Sequence, residues 1–214
     1  MMGDSRVWWR LGPALAARGY RAVAVDLPGH GASPPADEAT ADAFADALCR
    51  SVPAGPAVAI GHSVGGLVLA AALDRLGPAR VAYVDTAFAW AEYAEAEELT
   101  EAYEVAQELH TPDRLRRDYP QWTDGDIVAA VAAAAAWDVG TGVRLSLATA
   151  GKDFTPPASV PSLLIRAGRS RYVPDEQADS LLSAGFEVRT IPAAGHLAWF
   201  GCFPEFIEVL DAWL

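Results

Sequence analysis

Residues 58–71 read VAIGHSVGGLVLAA. An apolar run stops at Gly61, and a second apolar run with helical texture follows Gly65 and Gly66. His62 and Ser63 stand at the junction. The five residues Gly61-His62-Ser63-Val64-Gly65 fit G-x-S-x-G, with a strand pattern before them and a helix pattern after. That context is what a sharp strand-to-helix turn requires. Such a turn holds a serine hydroxyl clear of the backbone at the C-terminal edge of a sheet, and it predicts small residues two before and two after the serine. The N–H of Val64 then lies in the first turn of the helix, where it can bind an oxyanion. A dinucleotide-binding loop is the rival reading. Asp85 lies about 20 residues on, where a ribose-binding acid belongs. Ser63, however, occupies the place of the second glycine, where a pyrophosphate needs close backbone approach.

Working outward, strand-like and helix-like runs alternate. Strand patterns are expected at 20–31, 56–63, 80–88, 161–168 and 186–196. Helix patterns are expected at 39–52, where Phe44, Leu48 and Val52 share a face, and at 65–77, 175–185 and 204–214. Strands apolar on both faces, alternating with helices, predict a mostly parallel sheet flanked by helices. The stretch 89–158 has no strand pattern and is rich in Ala, Glu and Asp. It predicts a helical cap inserted after the strand ending at Asp85. The expected organisation is therefore a core in two parts, 1–88 and 159–214, separated by the cap at 89–158.

The whole chain bounds the reading. Its 214 residues suffice for one domain with a sizeable core. A net charge of −12 disfavours nucleic acid and anionic membrane surfaces as partners. Cys49 and Cys202 are too few for a disulfide framework and read as free thiols in a reducing compartment. The N-terminus lacks the apolar core of a signal peptide, and the run 127–137 is too short to span a bilayer. These features point to the cytoplasm.

A serine needs a base to act as a nucleophile. The chain has four histidines, at 30, 62, 110 and 196, and no i,i+4 pairing that would suggest a metal site. His62 adjoins the serine, but successive side chains diverge at such a turn. His30 lies in a PGHG turn and His110 in the expected cap. His196 follows the last strand pattern, which places it in a loop at the same sheet edge as Ser63.

With these pieces in place, the sequence resembles the α/β-hydrolase family, in its esterase-like branch. GHSVGG (61–66), DLPGHGAS (26–33), GHL (195–197) and the stretch from Asp4 to Gly29 carry the resemblance. It implies Ser63 as nucleophile, His196 as base and the Val64 N–H as one oxyanion donor. The chain order Ser…His agrees. Two departures stand out. Many members carry an aspartate in the loop after the strand that follows the cap, whereas here residues 168–174 read GRSRYVP, with Ser170 or Arg171 in its place. Asp85 is the expected substitute, and Asp175 is the alternative. Members also usually begin with further strands and an HG loop. Here only the Met1–Met2 backbone stands where the second oxyanion donor would come from, and loss of such a donor can cost ~10²–10³ in rate. A missing strand between those at 20–31 and 56–63 would leave a gap in the sheet, and an open edge favours self-association.

The expected activity is hydrolysis of a small carboxylic ester or related acyl compound through an acyl-serine, with no cofactor and no metal. Trp90, Tyr93, Trp122 and Trp137 are candidates to roof an apolar pocket. A non-catalytic small-molecule-binding protein of the same fold, and a carbon–carbon bond hydrolase or lyase using the same residues, are the competing expectations.

Overall fold

The structure, a computed structural model, describes residues 1–90, 95–168 and 170–214. Tyr93, one of the expected pocket aromatics, lies outside the described residues. In chain order the helices are α1 (Leu11–Ala16), α2 (Ala41–Ser51), α3 (Val64–Leu76), α4 (Ala96–Glu108), α5 (Pro112–Asp118), α6 (Asp124–Ala135), α7 (Val139–Thr149), α8 (Asp175–Ser183) and α9 (Phe203–Asp211). The strands are β1 (Ala59–His62), β2 (Val81–Val84), β3 (Ser162–Ala167) and β4 (Glu187–Ile191). The chain forms two compact units. One comprises Met1–Val52 and Ala91–Ala150, the other Pro53–Trp90 and Gly151–Leu214.

The second unit holds the sheet. Its order is β1-β2-β3-β4, and every pairing is parallel. β2 is buried throughout and β3 almost throughout, as interior strands of a covered parallel sheet must be. β1 and β4 are the edges and are more open. α3 packs on β1, and α8 and α9 pack on β4. α3 ends at Gly77, whose φ of 61° is the left-handed conformation that lets a chain leave a helix sharply. Because strand order follows chain order and all strands run the same way, the segments after β1, β2, β3 and β4 emerge at one edge. The sequence places Ser63, Asp85, Gly168 and His196 in those four segments.

The strand expected within 20–31 is not formed. Residues 20–27 belong to no strand, and 21–24 are exposed, with Val23 at 51%. A strand exists only through ladder hydrogen bonds to a neighbour. Apolar patterning shows which residues suit a sheet, not whether a partner strand is there to receive them.

The first unit is helical. α2 starts at Thr40, whose hydroxyl accepts the Ala43 N–H (3.1 Å). α6 opens with a reciprocal cap between Thr123 and Asp126. Buried Asp126 also accepts the indole N–H of Trp9 (3.2 Å). α7 is capped by Asp138, which accepts the Thr141 N–H (2.7 Å). The turn at 26–34 is tied to α7. The Asp138 N–H donates to the Gly29 carbonyl (2.8 Å), and Gly29 approaches Thr141 so closely that a Cβ there would sit 2.7 Å from it. Among the described residues no strand occurs in 95–149, as the composition of the expected cap predicts. No single helix among them is long and apolar enough to cross a membrane. α6 and α7 taken together are, but they turn by 84° at their junction.

Candidate active site

Ser63 forms the first corner of the site. It is the N-cap of α3, with φ 52° and ψ −125°, and its N–H donates to the Val84 carbonyl (3.0 Å), extending the β1–β2 ladder. The turn is as tight as G-x-S-x-G requires, but its demands differ from the expected pair. A Cβ on Gly61 would lie 2.7 Å from the Gly66 Cα and 2.8 Å from the Gly65 carbonyl oxygen. A Cβ on Gly66 would lie 2.1 Å from the hydroxyl of buried Thr86. A Cβ on Gly65 would meet nothing within 4 Å. The small residue two after the serine is therefore not enforced by space; the one three after is. The helix starts at Val64, so α3 turns the face bearing Gly66, not Gly65, toward the segment that follows β2.

Asp85 ends β2 and is fully buried. One carboxylate oxygen, Oδ1, accepts the Ala167 N–H from the end of β3 (3.1 Å). The other, Oδ2, lies 2.8 Å from His196 Nδ1. The chain order of the strands puts β3 between β2 and the strand before His196, so Asp85 reaches across the end of β3 and is held there by its backbone. Among the described residues Ser63 and Asp85 (φ 43°) are the only non-glycine residues with positive φ. Each such conformation costs about 1–3 kcal/mol and persists only where the surroundings enforce it.

His196 sits in the loop after β4. That loop meets the one after β3 backbone to backbone. The Gly168 N–H donates to the Ala194 carbonyl (3.2 Å), and any side chain on Gly168 would run into the Pro192 carbonyl. The 168–174 loop supplies no acid. Ser170 instead accepts the N–H groups of Tyr172 (3.1 Å) and Val173 (2.8 Å), which shapes the turn. It carries Tyr172 to a ring contact with His196, centroids 4.1 Å apart. Asp175, the other acid considered, is 88% exposed at its side chain and pairs with Arg166 (2.6 Å). Of the two carboxylates, Asp85 is the partner of His196.

Burial lowers the pKa of His196, while the hydrogen bond and charge of Asp85 act in the opposite sense. His62 is held well below the ordinary histidine value, first by burial and then by the proximity of His196. Both rings are thus kept neutral near pH 7.

The remaining expected residues are placed as follows. Val64 is the first residue of α3, and a first-turn N–H has no intrahelical acceptor. Met1 and Met2 belong to the helical unit, where the Met1 carbonyl accepts from Gly3 N–H and lies 2.9 Å from His30 Nε2. Trp90 is half-buried in the sheet unit, its carbonyl accepting the Gly151 N–H (3.1 Å). Trp122 stacks on Tyr119 (4.3 Å) beside a cleft of about 450 Å³ that Arg116 and Ile127 also line. Trp137 is 4% exposed and packs on Gly142 and Tyr103, within the core of the helical unit. His110 lies against the Ala106 carbonyl near the end of α4 (3.1 Å). The sequence did not single out Gly66, Gly168, Tyr172 or the contact of His62 with the His196 loop. GHSVGG did contain two of them. Nothing in the sequence marked the other two.

Comparison with known proteins agrees with this architecture. A probable esterase of Oryza sativa subsp. indica is 41% identical over 81 residues, taking in 35% of this chain and 30% of that protein. The chain thus spans about a third of the length of that curated relative. Among solved structures, an N-formylmaleamic acid deformylase from Pseudomonas putida superposes with a TM-score of 0.75 at 22% identity, over 98% of this chain and 88% of that one. An esterase from Exiguobacterium antarcticum gives 0.75 at 15% identity, over 98% and 87%. A bromoperoxidase from Bacillus anthracis gives 0.77 at 19%, again over 98% and 87%. At these identities the structural likenesses speak to the fold. The profile of the alpha/beta hydrolase family matches residues 2–207, almost the whole length, and on that match the chain belongs to the alpha/beta hydrolase family.

Proposed function

We propose that the chain is a serine hydrolase acting on a small carboxylic ester or related acyl compound. The observation that carries this reading is the hydrogen bond from His196 Nδ1 to buried Asp85, at the sheet edge where the positive-φ turn holds Ser63. An imidazole whose Nδ1–H is donated to a carboxylate presents Nε2 as the free base. In the proposed reaction, His196 Nε2 takes the Ser63 proton as Oγ attacks the acyl carbon. The Val64 N–H stabilises the oxyanion. The imidazolium then gives its proton to the leaving group, and water resolves the acyl-serine by the same route in reverse. Asp85 stabilises the transient positive charge and fixes the tautomer. The likeness of part of the chain to a probable esterase favours this chemistry over the other readings.

Two outcomes are expected. Incubation with a fluorophosphonate should add one adduct to the wild type and none to Ser63→Ala, read by intact mass. A folded wild type that takes up no adduct would refute the proposal. The pH profile should show the second. The base must be neutral to work, and burial lowers the pKa of His196. The acid limb of kcat/KM should therefore lie below the ordinary histidine value of about 6.5. An acid limb at or above that value would contradict the assignment of His196.

A further inference from the structure

His62 stands next to the nucleophile, yet its ring is used elsewhere. Its Nε2 lies 2.8 Å from the backbone carbonyl of His196. A carbonyl only accepts, so Nε2 carries the proton and donates it, and the neutral ring leaves Nδ1 unprotonated. The ring is fixed on its other contacts as well. Trp199, fully buried, meets it edge-on at 4.9 Å, and the His196 ring lies 4.5 Å away. The residue before Ser63 is therefore bonded to the residue expected to be its base, across two chain segments 134 positions apart. Other contacts on that loop act on a neighbouring residue or on the ring. Gly168 holds the Ala194 carbonyl, and Asp85 holds Nδ1 of His196.

We propose that His62 is a positioning residue. Its Nε2–H ties the backbone of the base loop directly to the nucleophile turn, alongside the hold that Asp85 has on the ring, so that the Ser63 hydroxyl and the His196 ring keep their separation. This role rests on the hydrolase reading above. It accounts for a half-buried histidine that takes no part in the proposed proton transfers. It also gives a use to a polar ring beside the nucleophile, where an apolar side chain would pack against Trp199 without leaving a donor to satisfy. Misplacing a reacting group by about 1 Å costs about 10²-fold in rate, so a loosened base loop should show in turnover before it shows in binding.

The test compares wild type, His62→Phe and His62→Gln on the full chain. Phenylalanine keeps the ring and removes the donor, while the glutamine amide places an N–H near the position of Nε2. Fluorophosphonate labelling rates and p-nitrophenyl acetate kinetics are measured, with thermal unfolding as a folding control. For His62→Phe the labelling rate and kcat should fall about 10- to 100-fold, with KM within about twofold. His62→Gln should recover most of that loss. A folded His62→Phe that labels at the wild-type rate would overturn the role, as would His62→Gln performing no better than His62→Phe. Should His62→Phe not fold, nitrogen NMR of the wild type decides: a slowly exchanging Nε2–H on His62 coupled to the His196 carbonyl carbon supports the link, and a proton on Nδ1 instead overturns it. Failure of the wild type itself to label would remove the hydrolase reading, and this role with it. Labelling of both wild type and His62→Phe at one rate removes only this role.

Discussion

Asp85→Asn is expected to lower kcat for ester turnover by about 10³- to 10⁴-fold while the chain stays folded. Asparagine keeps the shape of the side chain and tolerates the positive φ that this position adopts. It can still accept the Ala167 N–H that Asp85 Oδ1 accepts now. What it loses is the negative charge beside the base, and its amide can present a donor to His196 Nδ1. That would favour the tautomer with the proton on Nε2, which cannot take one from Ser63. The pH dependence carries a second sign. Asp85 acts to raise the His196 pKa against the lowering effect of burial. Without the charge the pKa falls further, so the acid limb should move to lower pH even as the plateau drops. Asp175→Asn is the control. Its carboxylate is exposed and pairs with Arg166 while Asp85 holds His196, so turnover should stay within about twofold of wild type. Steady-state kinetics over pH 4–9 on the three proteins reads all of this. Turnover of Asp85→Asn within tenfold of wild type would show that Asp85 is not the acid.

What the sequence revealed of this site follows from what each signal depends on. Ser63 was legible because the turn that holds it is local: a strand pattern, five residues and a helix pattern contain the whole requirement. His196 was legible because few histidines compete and it follows a strand pattern. The choice of Asp85 over Asp175 was only partly legible. Both lie at element boundaries on the expected sheet edge, and only the three-dimensional placement of the β3 end decides which carboxylate faces the imidazole. Gly168 carries no local mark at all. Its need for a bare Cα comes from the Pro192 backbone, 24 positions away, and is invisible until the two loops are brought together. The strand pattern at 20–31 fails for the same kind of reason. Val23 and its neighbours suit a sheet, but pairing is a property of two segments, and one segment's pattern cannot report on the other. The helices after residue 95 were legible because helical hydrogen bonds are internal to the segment that forms them.

The glycines of the turn give the largest expected effect on stability, and they separate the motif as written from the motif as built. Gly61→Ala should destabilise the chain by about 3 kcal/mol, the upper end of the cost of overpacking. For a chain of this length that is a fall in Tm of about 6–12 °C. The reason is that the new Cβ meets only backbone: the Gly66 Cα, the Gly65 carbonyl and the Gly66 N–H nitrogen, all within 2.9 Å. Backbone in the first turn of α3 cannot swing aside. Relief comes only by lifting the helix off β1, which also moves Ser63. Gly66→Ala is a different case. Its Cβ would strike the Thr86 side chain, whose hydroxyl is bonded to the Val84 carbonyl (3.2 Å). The double variant with Thr86→Ala should recover part of the loss, because the two substitutions share one contact and their costs do not add. Gly65→Ala meets open space in the first turn of a helix and should be neutral or slightly stabilising, since alanine surrenders less backbone entropy than glycine. Urea unfolding of the wild type and these four variants checks the order. Gly65→Ala costing as much as Gly61→Ala would mean that the turn is packed differently and that the fifth position of G-x-S-x-G is held by space after all. The expected order instead locates the constraint in one close approach, between the end of β1 and the start of α3, which forces the chain through the positive-φ conformation that exposes the serine.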